Sequence, residues 1–301
     1  MEKEDDAKPF PNWLELPREI ITNILQRLDT IDIVKSVCGV CPLWWNICKD
    51  PSLWRTIDMT SFTCGVCPLW WNIGKDPPLW RTIDMTSFTR GLLFHNDLVK
   101  ICHYAVERSC GHLEDVHIEY FCTDELLECI SENAGNLRRL RLLDCRLVTD
   151  KGFSGAVRKL AQLEEVDISF CNLVKESLEV LGRSCPLLKS LKFVTRGIEY
   201  FGYYDDDSAE AFAIAETMSG LRHLNIRGNL IRNTGLIAIL DGCPLLVSLN
   251  IAECSNLHLS ESLWKRCRDQ IKNVRQWTPF NEDEGLLAYQ ESLLRTILRS
   301  L

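Results

Sequence analysis

Fifteen cysteines in 301 residues are the side chains here most able to do chemistry. Cys38-x2-Cys41 followed by Cys64-x2-Cys67 places four thiols in two pairs, a pattern that can hold zinc tetrahedrally. The 22-residue gap between the pairs is slightly long for a zinc ribbon. Each pair also runs straight into Pro-Leu-Trp-Trp, with no knuckle glycine after it. These features favour ordinary buried or half-buried thiols, so no metal is expected. One zinc per chain in a metal analysis would overturn that expectation. The histidines are His95, His103, His112, His117, His223 and His258, and no two have helical metal-ligand spacing. A Cys–His nucleophile could arise only through folding. No Gly-rich phosphate loop, H-E-x-x-H or G-x-S-x-G motif occurs. The chain is therefore expected to lack intrinsic catalysis and to need no cofactor.

The paired cysteines belong to a longer duplication. Residues 38–63 and 64–89 differ at two of 26 positions, where Cys48 becomes Gly74 and Ser52 becomes Pro78. The second thiol pair exists only because the first was copied. Divergent structural repeats rarely stay so alike, so this resembles a recent copying event.

Composition sets the outer bounds. Apolar residues make up 46% and charged residues 25%, enough to bury a real core. Lys and Arg number 34 against 42 Asp and Glu, a net charge of −8. That argues against a dominant nucleic-acid role, which needs a basic face. The start, Met1-Glu2-Lys3-Glu4-Asp5-Asp6, is acidic and has no apolar stretch of the signal-peptide kind. No run approaches the roughly 18 apolar residues of a membrane span. An intracellular protein with reduced thiols and no membrane partner is expected.

Residues 12–37 carry short helical patterns. Pro17 suits a helix start, where its missing N–H costs nothing. Ile20, Ile21, Ile24, Leu25 and Leu28 recur at helical spacing. Asp29-Thr30 breaks the run, and Ile31, Val34 and Val37 restart it. Pro42 opens a third helix with Leu43, Trp44, Trp45 and Ile47, and Asp50-Pro51 ends it. Helices this short with this much apolar surface are marginal alone. The surplus face packs on the rest of the chain or docks a partner.

Leu14-x-Leu16-Pro17, Ile24-Leu25-x-x-Leu28, Ile33, Val40-Cys41-x-x-Trp44 and Asp50-Pro51-x-Leu53-Trp54 resemble an F-box. The phrase is most similar to plant F-box proteins with leucine-rich repeats. The resemblance implies binding to a Skp-type adaptor of a cullin–RING ubiquitin ligase. It places Leu14, Leu16, Pro17, Ile20, Ile24, Leu28 and Ile33 toward the adaptor, with Trp44 partly packed within the module. It also implies a nuclear or cytoplasmic setting. The second copy departs from the family, since no second helix of the LP…IL…L kind precedes Trp70. It is expected to be an insertion that packs on the end of the following domain.

From residue 113 a pattern apolar-x-x-apolar-x-apolar recurs. It reads Leu113-Val116-Ile118, Leu137-Leu140-Leu142, Leu163-Val166-Ile168, Leu188-Leu191-Phe193, Leu221-Leu224-Ile226 and Leu246-Leu249-Ile251, ending in the weaker Ile271-Val274. The first positions lie 24, 26, 25, 33, 25 and 25 residues apart. Motif and period are those of leucine-rich repeats. Trp54-x-x-Ile57-x-Met59 and its copy Trp80-x-x-Ile83-x-Met85 fit the strand pattern too. The expected fold is α/β: a short helical F-box, then a solenoid with parallel strands on its inner face and helices outside.

Cys145, Cys171 and Cys254 fall at the Asn/Cys turn position of the repeat, with Asn229 at the equivalent place. Cys110, Cys185, Cys243 and Cys267 sit where helices return to strands and read as small packing residues. Cys102, Cys122 and Cys129 have no place in the pattern. The domain expectation is an acidic N-terminus at 1–11, F-box at 12–63, copy at 64–89, repeats at 90–277 and an amphipathic tail helix at 278–301. Residues 196–207, aromatic then acidic, are a solvated loop or a binding loop.

Residues between the apolar strand positions should face outward. Their charges alternate from repeat to repeat, so sideways pairing can satisfy many of them. Alternatively Arg139, Arg141, Lys192, His223 and Arg227 present a surface for an unknown protein substrate. Function then divides two ways. The chain is a substrate receptor of the ligase, or a scaffold whose duplicated F-box no longer binds the adaptor.

Overall fold

The computed structural model describes residues 16–28, 37, 40–47, 56–58, 81–86, 95–195 and 208–276. The acidic N-terminus, Leu14, Ile33, most of the second copy, the loop at 196–207 and the tail at 278–301 lie outside the described residues.

The described N-terminal part holds two helices, α1 (Arg18–Leu25) and α2 (Pro42–Ile47). Pro17 caps α1 from just outside it, in an extended conformation. The two helices pack on each other.

Nine strands follow among the described residues, all parallel and paired strictly in chain order. They are β1 (Thr56–Asp58), β2 (Thr82–Met85), β3 (Asp115–Glu119), β4 (Arg139–Leu143), β5 (Glu165–Ser169), β6 (Ser190–Val194), β7 (His223–Asn225), β8 (Ser248–Asn250) and β9 (Asn273–Arg275). Each rung from β3 onward is preceded by a helix: α3 (His95–Arg108), α4 (Asp124–Asn133), α5 (Asp150–Val157), α6 (Lys175–Ser184), α7 (Ala209–Thr217), α8 (Asn233–Gly242) and α9 (Glu261–Gln270). Neighbouring helices of the series from α3 to α8 pack side by side. This is the expected leucine-rich-repeat solenoid.

Its core lies between sheet and helices. The opening apolar residues Leu113, Leu137, Leu163, Leu188, Leu221, Leu246 and Ile271 are all at most 4% exposed. Burying a side chain of this size stabilises by roughly 1.5–3 kcal/mol, and stacking repeats it at every rung. The 33-residue interval leaves the sheet intact, because Ser190 still pairs with His223.

Chain exit from the sheet recurs in one form. Tyr120, Asp144, Phe170, Gly228 and Glu253 all take left-handed backbone angles at the same place in their repeats. Tyr120, Asp144 and Phe170 turn the chain outward while their N–H groups still donate to Leu143, Ser169 and Val194 carbonyls on the next rung, at 2.7–2.9 Å.

Adjacent repeats are also stitched through helix starts. Asp124, first residue of α4, accepts from Thr149 N at 2.8 Å and Thr149 Oγ1 at 2.6 Å. Asp150 does the same for Val174 N and Ser177 Oγ. Thr123, Thr149 and Ser260 cap their own helices through side-chain oxygens.

The duplication resolves here into architecture. Thr56, Ile57 and Asp58 pair in register with Thr82, Ile83 and Asp84, their own copies. The copied block is 26 residues, one repeat period, so it adds a rung instead of interrupting the stack. The second copy abuts the first full repeat, with Ile83 beside Val116, and the original is moved one rung outward.

Candidate adaptor and substrate interfaces

The first candidate surface is built on α1. Its eight residues place apolar side chains in two adjacent stripes. Ile21 and Leu25, each 1% exposed, face the core with Val37 and Ile47. Ile20, Ile24 and Leu28 remain 46%, 37% and 38% exposed. The single apolar face seen in the periodicity is thus divided between packing and display. An apolar stripe held open beside a buried one is costly unless something covers it.

Of the other residues placed toward the adaptor, Pro17 is exposed and Leu16 and Trp44 are half-buried against the core. Trp44 N also donates to Cys41 Sγ at 3.5 Å. Val40 and Leu43 add exposed apolar surface beside α2 that the sequence reading had not placed in the set. Val40 was visible in the motif, but only exposure distinguishes a packing valine from a displayed one.

The second candidate surface is the concave face of the sheet. Register brings Asp115, Arg139 and Glu165 into one row, with His117, Arg141 and Asp167 in the row beside it. Arg139 Nε donates to Asp115 Oδ2 at 2.7 Å, and Arg141 Nη1 reaches Asp115 Oδ1 at 3.2 Å. Asp115 is 6% exposed beneath them, not an open acid as the strand alternation suggests. Its hydrogen bond raises the Arg139 pKa. Lys192 Nζ lies 2.9 Å from Asp167 Oδ2, and Arg227 Nε donates to Glu253 Oε2 at 2.8 Å. His223 Nδ1 is 2.9 Å from Ser248 Oγ. All five candidate residues are therefore on the strand face or its rim, each with a neighbour from an adjoining rung. Arg139 and Arg141 share one patch with Lys192, while His223 and Arg227 lie further along the solenoid.

The thiols serve the stack. Cys145, Cys171 and Cys254 Sγ donate to the carbonyls of Ile118, Leu142 and Ile226 on the preceding rung, at 3.2–3.5 Å. Asn229 Nδ2 does this for Phe193 O at 3.0 Å. Cys185 and Cys243 bond helix-end carbonyls of the preceding repeat. Burial pushes the Cys185 thiol up to about 12 and the Cys243 thiol up to about 11. Protonated, enclosed thiols are poor nucleophiles. Cys102, Cys122 and Cys129, which lacked a place in the pattern, are buried as well. Cys110 departs from expectation: it is exposed, with φ +47°, and Ser109 takes the buried position instead. Cys38, Cys48, Cys64 and Cys67 lie outside the described residues. Among those described, no cluster of three or more His, Cys, Asp or Glu is arranged to hold a metal. No described helix is long and apolar enough to cross a membrane.

Comparison with known proteins gives the family. Residues 13–60 match the F-box-like family. The F-box protein SKIP19 of Arabidopsis thaliana is 41% identical over 88% of this chain and 76% of its own length. Arabidopsis F-box/LRR-repeat protein 9 is 35% identical over 84% of this chain and 96% of its own. Arabidopsis F-box/LRR-repeat protein 23 is 38% identical over 89% of this chain, which spans only 54% of that relative. Among solved structures, a chain of the yeast Rad7 and Elc1 complex aligns over 85% of this chain and 86% of its own, with 14% identity and a TM-score of 0.42. The chain belongs to the plant F-box/LRR-repeat family.

Proposed function

We propose that this chain is a substrate-recognition subunit of a Skp–cullin–F-box ubiquitin ligase. Ile20 and Ile24 of α1, with Leu28 just beyond its end, form the centre of the adaptor contact, flanked by Leu14, Leu16, Pro17, Ile33 and Trp44. The concave face, with Arg139, Arg141, Lys192, His223 and Arg227, holds the protein to be ubiquitinated. The observation that carries this reading is the exposed apolar stripe on α1 in a family F-box joined to an uninterrupted repeat sheet. The chain supplies no bond-making group. It contributes proximity, raising the effective concentration of substrate lysine near the charged conjugating enzyme. Family members are typically non-catalytic adaptors, in keeping with this role. A nuclear or cytoplasmic site of action follows from it.

The duplication favours a second reading, a scaffold that has lost the adaptor. The two readings separate in a pull-down with a purified Skp-type adaptor, comparing the full chain with one lacking residues 64–89. Because the copy is one repeat period long and its strand pairs in register on both sides, both forms should fold and capture the adaptor equally. Capture only after deletion supports the scaffold, and capture by neither form ends the ligase reading.

A further inference from the structure

The concave face changes character along its length. Between β3 and β6, bases are answered by acids on neighbouring rungs, as described for Asp115 and Asp167. Beyond β6 the central row continues in register as Lys192, Asn225, Asn250 and Arg275. No acid stands in this row from β6 to β9. Asn225 Oδ1 accepts from Arg227 N at 3.2 Å, and Asn250 Oδ1 accepts from Ala252 N at 3.1 Å. A backbone N–H against each oxygen fixes which amide atom is nitrogen. Both Nδ2 groups are left as donors with no partner among the described residues. The Arg275 guanidinium is exposed and likewise has no partner among them.

We propose that this four-rung row docks an extended acidic segment of a partner protein. The inference rests on the substrate-receptor reading above and gives that site a substrate class. The free groups in the row are donors, so its ligand must supply acceptors, and the exposed Arg275 selects carboxylates, while Lys192 at the other end is already held by Asp167. Four rungs span roughly 14 Å, about four residues of extended chain. Lys192 and the bases further back are already paired with acids, which confines the unanswered charge to Arg275 and the rungs beyond β6. A short acidic peptide suits such a patch better than a nucleic acid, whose long run of phosphates meets a chain of net charge −8.

The test is fluorescence anisotropy with the full chain and a labelled octapeptide of alternating Glu and Ser. The reference peptide carries Gln in place of Glu. The Glu peptide should bind at least ~10-fold tighter, and the preference should shrink as salt rises. Asn250→Asp with Arg275→Glu should cost ~10-fold or more, whereas Lys265→Glu on the outer helix α9 should leave binding unchanged. Arg275→Glu alone, at an exposed position, keeps the test decisive should the double variant melt early. Equal affinity for the two peptides overturns the proposal. So does a folded variant that binds as the parent does, or a labelled octaribonucleotide that binds as tightly as the Glu peptide. Adaptor capture is read on the same samples. Intact capture without peptide preference removes the docking site alone, and lost capture removes the receptor reading.

Discussion

At Asn229 one side chain makes three bonds that hold two repeats together. Its Oδ1 accepts from Thr195 N at 2.9 Å and Thr195 Oγ1 at 2.8 Å, while Nδ2 donates to Phe193 O. The residue is 4% exposed, so water cannot replace these partners. Asn229→Ala should lower stability by roughly 2–3 kcal/mol in urea unfolding, since a half-buried N–H and a buried carbonyl lose their partners. Cys254→Ala at the equivalent place should cost less, because a thiol is a weak donor. Equal, negligible losses would contradict the rung-bonding role. These positions were legible from spacing, since Cys145, Cys171, Asn229 and Cys254 fall at one place in the repeat. Cys110 was not, because the backbone turns left-handed at Cys110 and Gly111, which leaves Ser109 as the side chain that turns inward. The burial of Asp115 is hidden from the sequence for a related reason. Strand alternation gives the side a residue faces, but not whether two arginines fold over it.

At the level of elements, helix packing is set by small residues as much as by large ones. A Cβ at Gly242 would fall inside the van der Waals radius of the Ala215 carbonyl, where α8 crosses α7. The clash is with backbone, which cannot swing aside. Gly242→Ala should therefore lower stability by about 1–3 kcal/mol, despite the better helix propensity of alanine. Thermal melting would check this, and an unchanged or higher melting temperature would count against the packing described. The strands themselves could be read from the sequence, because each LxxLxL repeat announces its two inward residues. The fate of the second copy could not. Its length already equalled a repeat period, yet only pairing shows that Ile83 follows Ile57 in the sheet instead of capping it from outside.

At the scale of the molecule, two candidate surfaces belong to different parts of the chain. The apolar stripe of α1 lies in the amino-terminal part of the chain, and the donor row runs along the last four rungs. Each extra rung advances the sheet by about 4.8 Å. The copied rung therefore changes the spacing between the two surfaces without altering either. The F-box was legible because it is a motif of spaced apolar residues. Its displayed half was legible only through the resemblance, because Ile20 and Ile21 are alike in chemistry and differ only in what covers them. The account depends most on that exposed stripe. The decisive measurement is the affinity of a purified Skp-type adaptor for the full chain and for the Ile20→Glu, Ile24→Glu variant, by titration calorimetry. Both side chains are already in water, so the variant should melt as the parent does and lose roughly 100-fold or more in affinity. Undiminished binding by the folded variant, or no binding by the parent, would contradict the account.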